Sequence, residues 1–554
     1  MRFFNTAGPL NPAKHYCLDP LSRWDLAEVL GHIEQEKYFL VHAPRQTGKT
    51  TCLQALVHYL NKTKSLHCVY VSAEQGQAAR QDIDKGVWSL LGEIALSASL
   101  QLQDDFVAQQ GRKIFEEAGA ANALRNLLTK WCLHVDRPIV LLVDEIDALV
   151  GNTLISMLRQ LRAGYCARNM IPFPQSVVLC GMRHLRDYRM ELGDEGKQVL
   201  SEASPFNINS ESLRLGDFSL QDVQTLYAQH TQETGQQFEQ GVCERVFELT
   251  QGQPWLVNAL AYDVCFRSKA GQDRSKNICV GDIDAAKEQL IQRRETHLDQ
   301  LMAKLKQERV RRVMQPFLLG ETQPIPYEDV EYVVDLGLLH QGTSGGLFLS
   351  NPIYAELIPR AMTWDFQNAI PLQRPAYVDQ EDQLCVAWLM TEFQQFFREN
   401  SDSWLEQFQY KEAGPHLILQ AFLQRVINGG GSIHREYALG RGRTDLLVTW
   451  PSQSESAIVP SDSQSNVSSQ QCAQYQHKQC QRIVLELKLV RTKDGFDRRL
   501  REGIEQTAQY MDTCDATEGH LLLFDRRAGK SWDERIWLRQ ETSPDGKEIT
   551  VWGL

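Results

Sequence analysis

Residues 41–51 are Val41-His42-Ala43-Pro44-Arg45-Gln46-Thr47-Gly48-Lys49-Thr50-Thr51, and they carry the strongest structural signal in this chain of 554 residues. An apolar segment, Tyr38 to Val41, runs into a tight loop that ends in Gly-Lys-Thr, and a helical pattern follows. This order makes backbone N–H groups converge at a helix N-terminus, which is a favourable place for a phosphate chain. The spacing therefore predicts a phosphate-binding loop of the Walker A type from Ala43 to Thr51.

Each role in such a loop has a candidate residue here. Gly48 lets the backbone approach the phosphates, Lys49 reaches the β and γ oxygens, and the Thr50 hydroxyl binds Mg²⁺. Ala43 stands where the common pattern has its first glycine, and alanine is acceptable there unless the backbone needs a positive φ. A chance glycine-rich turn is the alternative, and the strand before the loop and the helix after it disfavour it.

A second apolar run, Pro138 to Val143, ends in the acidic pair Asp144-Glu145. A continuous apolar run is typical of a strand that is buried on both faces. We expect Asp144 to hold Mg²⁺ through water and Glu145 to orient or deprotonate the attacking water. Because this strand follows a phosphate-binding loop, the two motifs together predict binding and hydrolysis of ATP.

A third apolar run, Ser176 to Met182, ends in Arg183. The carboxyl ends of parallel strands face the ligand crevice, so Arg183 is a candidate contact of the γ-phosphate, with a solvated arginine as the alternative. An arginine finger, in cis or from a neighbouring subunit, remains open among Arg159, Arg162, Arg186 and Arg189.

These features resemble the AAA-like P-loop ATPases close to the STAND and archaeal-ATPase lineages. The resemblance covers about the first two thirds of the chain and is carried by the strand order, Asp144-Glu145, Gly181-Met182-Arg183 and Gly252-Gln253-Pro254. It implies that Pro254, in a helical lid, lies against the adenine and that Arg183 senses the γ-phosphate. Arg23 is a weaker match to an arginine that such families place before the first strand.

Composition limits the class of protein. The length predicts three to four domains, and the chain has neither an apolar run long enough to cross a bilayer nor a signal segment at Met1. We therefore expect a cytoplasmic protein without a membrane partner. The 13 cysteines are scattered and often lie in apolar strands, which indicates reduced thiols. A net charge of −12 disfavours a surface that coats nucleic acid everywhere, but it permits local contacts.

Pattern changes along the chain predict an α/β fold class with several domains. Alternating helices and strands over 1–206 predict a P-loop doubly wound sheet, and 207–295 predicts a helical lid. A helix, a Gly-rich turn and a short strand predict a winged-helix domain over 296–366, and its wing lacks basic residues, so a structural role is favoured over DNA binding. Residues 367–405 are predicted to be a linker and a helix, and 406–554 an α/β domain with a disordered, Ser/Gln-rich insertion at 451–481.

The last domain contains a second group of candidate catalytic residues. Residues 433–438 and 444–449 predict a hairpin, and 482–490 predicts a third strand. Glu486 and Lys488 are two apart and therefore share one face of that strand, where we expect Asp445 to meet them. Asp445 and Glu486 are candidate Mg²⁺ ligands, with Lys488 orienting the attacking water or stabilising phosphate charge.

Asp445 and Glu486-x-Lys488, followed by a helix with Gln506 and Tyr510, resemble the PD-(D/E)xK nuclease superfamily, in particular the nuclease-like domains fused to AAA-like ATPases. The resemblance implies a first acidic position on a helix before the hairpin, matched here by Glu412. It also implies a supporting role for Gln506 and Tyr510, which lie one helical turn apart. Thr444 replaces the proline of the family name. An inactive nuclease fold that only binds its partner is the alternative.

Together the motifs predict an ATPase whose nucleotide state gates a Mg²⁺-dependent nuclease. Its partner is predicted to be nucleic acid, with DNA favoured, and the architecture suggests defence against foreign DNA as a setting. Two alternatives stay open. One is an ATP-driven assembly switch that forms a nucleotide-dependent homo-oligomer. The other is a remodeller of nucleic-acid complexes whose nuclease fold is inactive.

Overall fold

The computed structural model divides into two compact units, Met1–Val313 with Pro324–Ile353, and Met314–Gln323 with Tyr354–Leu554. The structure describes residues 1–182, 209–293, 295–319, 325–342, 346–362, 377–379, 383–407, 419, 422–423, 432–435, 438–439, 442–443, 446–451, 480–490, 495–525, 527 and 529–554. Within these ranges, no helix is both long enough and apolar enough to cross a membrane.

The first unit is built on a five-stranded parallel sheet with the order β2-β3-β4-β1-β5. Its strands are β1 (Tyr38–His42), β2 (His67–Ser72), β3 (Ile139–Asp144), β4 (Ser176–Gly181) and β5 (Asn209–Arg214). Every residue of β1, β3 and β4 is buried, as expected for strands covered by helices on both faces. The predicted α/β class is confirmed. The edge strand β5 pairs with β1 and lies beyond residue 206, the predicted end of the P-loop domain.

Helices cover both faces of this sheet. They are α1 (Leu26–Glu34), α2 (Lys49–Thr63), α3 (Ile83–Leu102), α4 (Phe106–Ala118), α5 (Ala120–His134) and α6 (Gly151–Ala167). Alternate residues of β1 join different cores, because successive side chains of a strand point to opposite faces. Tyr38 and Leu40 pack with residues of α3 to α6, whereas Phe39 and Val41 pack with residues of α1 and α2.

A helical segment follows β5. It comprises α7 (Leu220–Thr234), α8 (Val242–Thr250), α9 (Pro254–Tyr262), α10 (Lys269–Gln272), α11 (Val280–Arg293) and α12 (Thr296–Leu305). Ser219 caps α7: its hydroxyl accepts from the N–H of Asp222 at 3.2 Å, and its own N–H donates to the Asp222 carboxylate at 2.8 Å. This reciprocal pair fixes where the helical segment begins.

Further helices and a short hairpin come next in the chain. They are α13 (Glu308–Leu319), α14 (Tyr327–Asp335), the antiparallel strands β6 (Leu339–Gln341) and β7 (Leu347–Leu349), and α15 (Pro352–Met362). A helix followed by a hairpin is the predicted layout of a winged helix. That assignment stays a prediction.

The second unit contains a six-stranded mixed sheet with the order β14-β15-β13-β12-β11-β8. Its strands are β8 (Ser432–Arg435), β11 (Leu446–Pro451), β12 (Cys480–Val490), β13 (Glu518–Asp525), β14 (Trp537–Thr542) and β15 (Glu548–Gly553). A separate two-stranded ladder joins β9 (Ala438–Leu439) and β10 (Gly442–Arg443). The helices are α16 (Val386–Gln407), α17 (Phe496–Cys514) and α18 (Trp532–Arg535).

Strand β12 is an inner strand of this sheet, between β13 and β11. Leu485 and Leu487 belong to a core that includes Phe393 of α16, whereas Val484 belongs to a core that includes Ile504 of α17. The ladder between β11 and β12 extends to the pairs Trp450 with Gln481 and Pro451 with Cys480. The predicted insertion at 451–481 is therefore shorter at both ends, because residues 451, 480 and 481 lie in strands, and 452–479 lie outside the described residues.

Candidate nucleotide-binding site

The loop between β1 and α2 turns sharply before the helix begins. Gln46 and Gly48 have positive φ angles of 58° and 93°, and Gly48 caps α2. The hydroxyl of Thr47 donates to the carbonyl of Pro44 at 2.9 Å and ties the loop together. Ala43 is fully buried, and its N–H donates to the carbonyl of Gly181 at 3.3 Å. An alanine fits there because the positive φ angles of the loop fall elsewhere.

Lys49 begins α2 and is buried. Its ammonium donates to the carbonyls of Ala43 and Pro44 at 2.9 and 2.8 Å. The charge is thus held inside the curve of the loop, next to the helix N-terminus. Both features favour an anionic ligand.

The loop meets the acidic strand through a short hydrogen bond. Thr50 Oγ1 donates to Asp144 Oδ2 at 2.6 Å, and the hydroxyl of Tyr70 donates to the same oxygen at 3.0 Å. The N–H of Glu145 donates to Asp144 Oδ1 at 2.9 Å. The side chain of Asp144 is fully buried, so these three donors satisfy a carboxylate that has lost its water. Both predicted Mg²⁺ ligands, Thr50 and Asp144, lie side by side.

Glu145 stands at a strained turn directly after β3, with a positive φ of 55°. Partial burial, followed by the charge of Asp144, raises the pKa of its carboxyl group above the ordinary value, and Lys49 opposes the shift. A carboxylate with a raised pKa is a stronger base than an ordinary glutamate.

A cavity of about 400 Å³ opens beside these residues. Its walls come from the loop, from an N-terminal segment and from the helical segment, and they include Asn5–Leu10, Arg45–Cys52, Glu74, Glu145, Phe218, Pro254, Trp255 and Asn258. Trp255 Nε1 donates to the carbonyl of Thr6 at 2.9 Å, and Leu10 N donates to Thr51 Oγ1 at 3.2 Å. The N-terminal wall was not predicted, because it carries no motif and reaches the cavity only through these long-range contacts.

The turn at 252–254 places Pro254 on the cavity wall. Gly252 has a φ of 77°, and a Cβ atom there would lie 1.8 Å from the carbonyl oxygen of Phe218. The side chain of Gln253 accepts from the N–H of Leu256 at 2.6 Å and caps α9, and Pro254 is the first residue of that helix. Glycine at 252 therefore suits a positive φ and a close backbone contact, and proline at 254 suits the first position of a helix.

Arg23 links the loop to the start of the helical segment. Its guanidinium donates to the carbonyl of Thr47 at 3.1 Å and to the carbonyl of Gly216, and it lies 4.6 Å from the centre of the Phe218 ring. Burial lowers its pKa. Arg159 and Arg162 lie on α6 and are not part of the cavity wall. Arg183, Arg186 and Arg189 lie outside the described residues.

The second group of candidates is only partly described. Glu486 is almost fully buried on β12, and Lys488 Nζ lies 2.5 Å from its Oε1, which confirms that the two side chains share a face. Gln506 and Tyr510 lie on α17, where Tyr510 is buried. Asp445 and Glu412 lie outside the described residues.

The model of one protein family, the AAA-like domain, matches residues 28–323. This match spans more than half of the chain, so the protein belongs to the AAA-like domain family. Its sheet and loop are those of a P-loop ATPase-like domain.

Solved structures with a similar fold include the Walker-type ATPase PABY2304 of Pyrococcus abyssi, with 14% identity, a TM-score of 0.43, and coverage of 64% of this chain and 99% of that chain. The Holliday junction branch migration motor RuvB of Thermotoga maritima has 16% identity and a TM-score of 0.31, covering 60% and 95%. Cdc6p from Pyrobaculum aerophilum has 13% identity and a TM-score of 0.32, covering 62% and 93%. These likenesses concern the fold alone. No curated protein matches the chain.

Proposed function

We propose that the first unit binds and hydrolyses ATP with Mg²⁺. The observation that carries this proposal is the 2.6 Å hydrogen bond between Thr50 and Asp144, which joins the phosphate loop to the acidic strand beside a cavity. A hydroxyl and a carboxylate are hard oxygen ligands of the kind that Mg²⁺ prefers. The residues present therefore fit this cation.

The proposed roles follow from the positions of the side chains. Gly48 and the start of α2 offer N–H groups to the phosphates, and Lys49 exchanges its two carbonyl partners for phosphate oxygens. Thr50 and Asp144 hold Mg²⁺, which neutralises phosphate charge when bound. Glu145 orients the attacking water and accepts its proton.

Residues of the loop and of the helical segment bind the rest of the nucleotide in this proposal. The backbone from Ala43 to Thr51 surrounds the phosphates, and Pro254 lies against the adenine with Trp255 beside it on the wall. Arg183 is proposed to sense the γ-phosphate. Its substitution by alanine should lower hydrolysis more than ATP affinity, since the attacking water reacts at the γ-phosphate while ADP is the leaving group.

Three variants of the full chain test the assignment. Lys49→Ala should abolish ATP binding in a filter assay, and Glu145→Gln should bind ATP but hydrolyse it about 10²- to 10⁴-fold more slowly, since a general base contributes that much. Lys62→Ala is the matched control, because Lys62 is exposed in the last turn of the same helix. Wild-type turnover by both active-site variants would refute the assignment.

A second activity, cleavage of nucleic acid, is proposed for the second unit. It is favoured by the ion pair between the buried Glu486 and the half-buried Lys488 in the otherwise apolar run 483–490 of β12, since burying a charge costs free energy that packing alone does not require. We propose that Asp445 and Glu486 hold Mg²⁺ and that Lys488 orients water or stabilises phosphate charge. Glu412, Gln506 and Tyr510 are proposed to support this site.

Gating is the remaining part of the proposal: the nucleotide state of the first unit controls cleavage by the second, in defence against foreign DNA. The experiment uses the full chain with Mg²⁺, with and without ATP, on plasmid and single-stranded DNA. Asp445→Ala and Lys488→Ala should abolish cleavage and leave ATP turnover intact, with Lys530→Ala, in the same unit, as the control.

Other outcomes of this experiment identify the alternatives. ATP hydrolysis that DNA stimulates without any cut would indicate a remodeller. Nucleotide-dependent homo-oligomers that do not cleave would indicate an assembly switch. Cleavage that survives both substitutions would overturn the catalytic assignment.

A further inference from the structure

Three side chains that commonly bind metals converge near the beginning of β1, whereas the nucleotide loop follows the end of that strand. They are Glu28 and His32 of α1 and Glu211 of β5, which pairs with Phe39. His32 Nε2 lies 3.0 Å from Glu211 Oε2 and 3.9 Å from Glu28 Oε1. One ligand atom from each residue lies within 4.8 Å of the others. Among the described residues this is the one such group.

The imidazole of His32 supplies an independent observation. The residue is only 6% exposed, and its Nε2 atom is buried and forms no hydrogen bond with any described residue, although Glu211 Oε2 is near. The ring centre lies 5.3 Å from that of Phe39, and this packing holds the imidazole in place. A buried nitrogen next to two carboxylates without a hydrogen bond is an unusual arrangement, because buried polar atoms normally have partners.

The helix spacing and the surrounding charges suit a cation. Glu28 and His32 are four residues apart and therefore share one face of α1. Lys37 Nζ lies 2.9 Å from Glu211 Oε1, so Lys37 occupies one oxygen of that carboxylate and leaves Oε2 toward His32. Two carboxylates and one ammonium give the group a net charge of −1 when His32 is neutral.

We propose that Glu28, His32 and Glu211 bind a first-row divalent cation, with zinc as the test ion. An imidazole and two carboxylates are a common zinc donor set, and water completes the coordination. Zinc ligands lie about 2.0–2.2 Å from the ion, so tetrahedral ligand atoms are separated by ~3.3 Å. The distances from His32 Nε2 to Glu211 Oε2 and to Glu28 Oε1, 3.0 and 3.9 Å, lie on either side of that value. The ion would fasten α1 to the edge strand β5 at a structural site that is separate from the nucleotide chemistry.

Zinc content of the full chain tests this proposal. Chelator-treated protein is titrated with ZnCl₂ in the presence of a competing chromogenic chelator, which masks weak sites on scattered cysteines. The wild type should bind one more zinc ion per chain than Glu28→Gln or Glu211→Gln, and each variant should lose at least about tenfold in affinity at this site. Asp136→Asn is the matched control, because it removes a carboxylate that lies 3.1 Å from another imidazole, that of His67.

Equal zinc content and affinity in all four proteins would overturn the site and leave an ordinary ion pair of His32. Glu28→Gln keeps this outcome meaningful, because the Glu28 side chain is 47% exposed and its amide replacement should not disturb folding. Crystals of the zinc-loaded protein give a second readout. An anomalous peak between the three side chains supports the proposal, and a peak only elsewhere contradicts it.

Discussion

Thr50 and Tyr70 form a natural pair for testing the nucleotide site. Each donates a hydroxyl to the same oxygen, Asp144 Oδ2, at 2.6 and 3.0 Å. Only Thr50 is proposed to bind Mg²⁺ as well. Thr50→Val and Tyr70→Phe each remove one donor while keeping the shape of the side chain. The two substitutions therefore separate support of the carboxylate from binding of the cation.

The expected loss of stability follows from the surroundings of Asp144. Its carboxylate is fully buried and accepts from the Thr50 and Tyr70 hydroxyls and the Glu145 N–H, so each variant removes one of these donors. A hydrogen bond to a charged group contributes about 1.5–3 kcal/mol, and both variants should lose a free energy of unfolding in this range. The relevant unfolding transition is the one whose midpoint ATP raises in the wild type, since a ligand stabilises only the unit that binds it.

Catalysis should distinguish the two variants. Thr50→Val should lower Mg²⁺-dependent ATP hydrolysis at least about 100-fold, because outer partners of a metal already contribute 10- to 100-fold and a direct ligand contributes more. Tyr70→Phe should hydrolyse ATP at a rate within about tenfold of the wild type, because Tyr70 is only an outer partner that contacts the metal ligand Asp144. Phosphate release at several Mg²⁺ concentrations is the assay. Equal losses in both variants, or normal hydrolysis by Thr50→Val, would refute the assignment of Thr50.

Other predictions concern His297, Gly252 and Lys488. Burial, followed by the charge of Arg45, lowers the pKa of His297 from 6.5 to about 4. Between pH 6.5 and 4, the His297 side chain therefore binds a proton in the unfolded chain but not in the folded chain. The free energy of unfolding should fall by about 3 kcal/mol as the pH decreases through this range. In His297→Gln the urea midpoint of unfolding should change less with pH over that range. An unchanged pH dependence would contradict the burial of His297 as its cause. Gly252→Ala should lower the free energy of unfolding by about 1–3 kcal/mol and weaken ATP binding, because the new Cβ atom would meet the Phe218 carbonyl. The control is Gly235→Ala, which has a similar φ of 79° but open space around the new Cβ atom and should therefore be less destabilising. Equal effects of the two alanines on melting would be inconsistent with that clash. Lys488→Met removes the half-buried ammonium group that contacts Glu486 and should lower the free energy of unfolding by about 1.5–3 kcal/mol, the contribution of a hydrogen bond to a charged group. Thermal melting that matches Lys530→Met would argue against this contribution.

The sequence revealed the parts of the site that depend on local chemistry. The loop from Ala43 to Thr51 and the pair Asp144-Glu145 each stand at the end of an apolar strand, and the parallel sheet brings those ends together. Alternation along β12 similarly predicted that Glu486 and Lys488 share a face. Such short-range patterns can be recognised because the backbone period fixes the direction of the side chains.

Contacts between distant segments were not predictable in the same way. Tyr70 reaches Asp144 only because β2 and β3 pair in register, with Ser72 opposite Asp144. Edge strand β5 was missed because its residues, such as Glu211 and Ser212, are polar and lack the apolar run of a central strand. Its pairing with β1 brings Glu211 to His32, so no local sequence pattern indicates the candidate cation site.

A structure of the Glu145→Gln variant with ATP and Mg²⁺ examines the nucleotide site without an assay of turnover. Electron density should show the phosphates along the loop from Ala43 to Thr51, Mg²⁺ next to Thr50 with Asp144 near it, and the adenine against Pro254. Nucleotide bound away from this loop, or a cation with no contact to Thr50, would contradict the assignment on which the proposed ATPase rests.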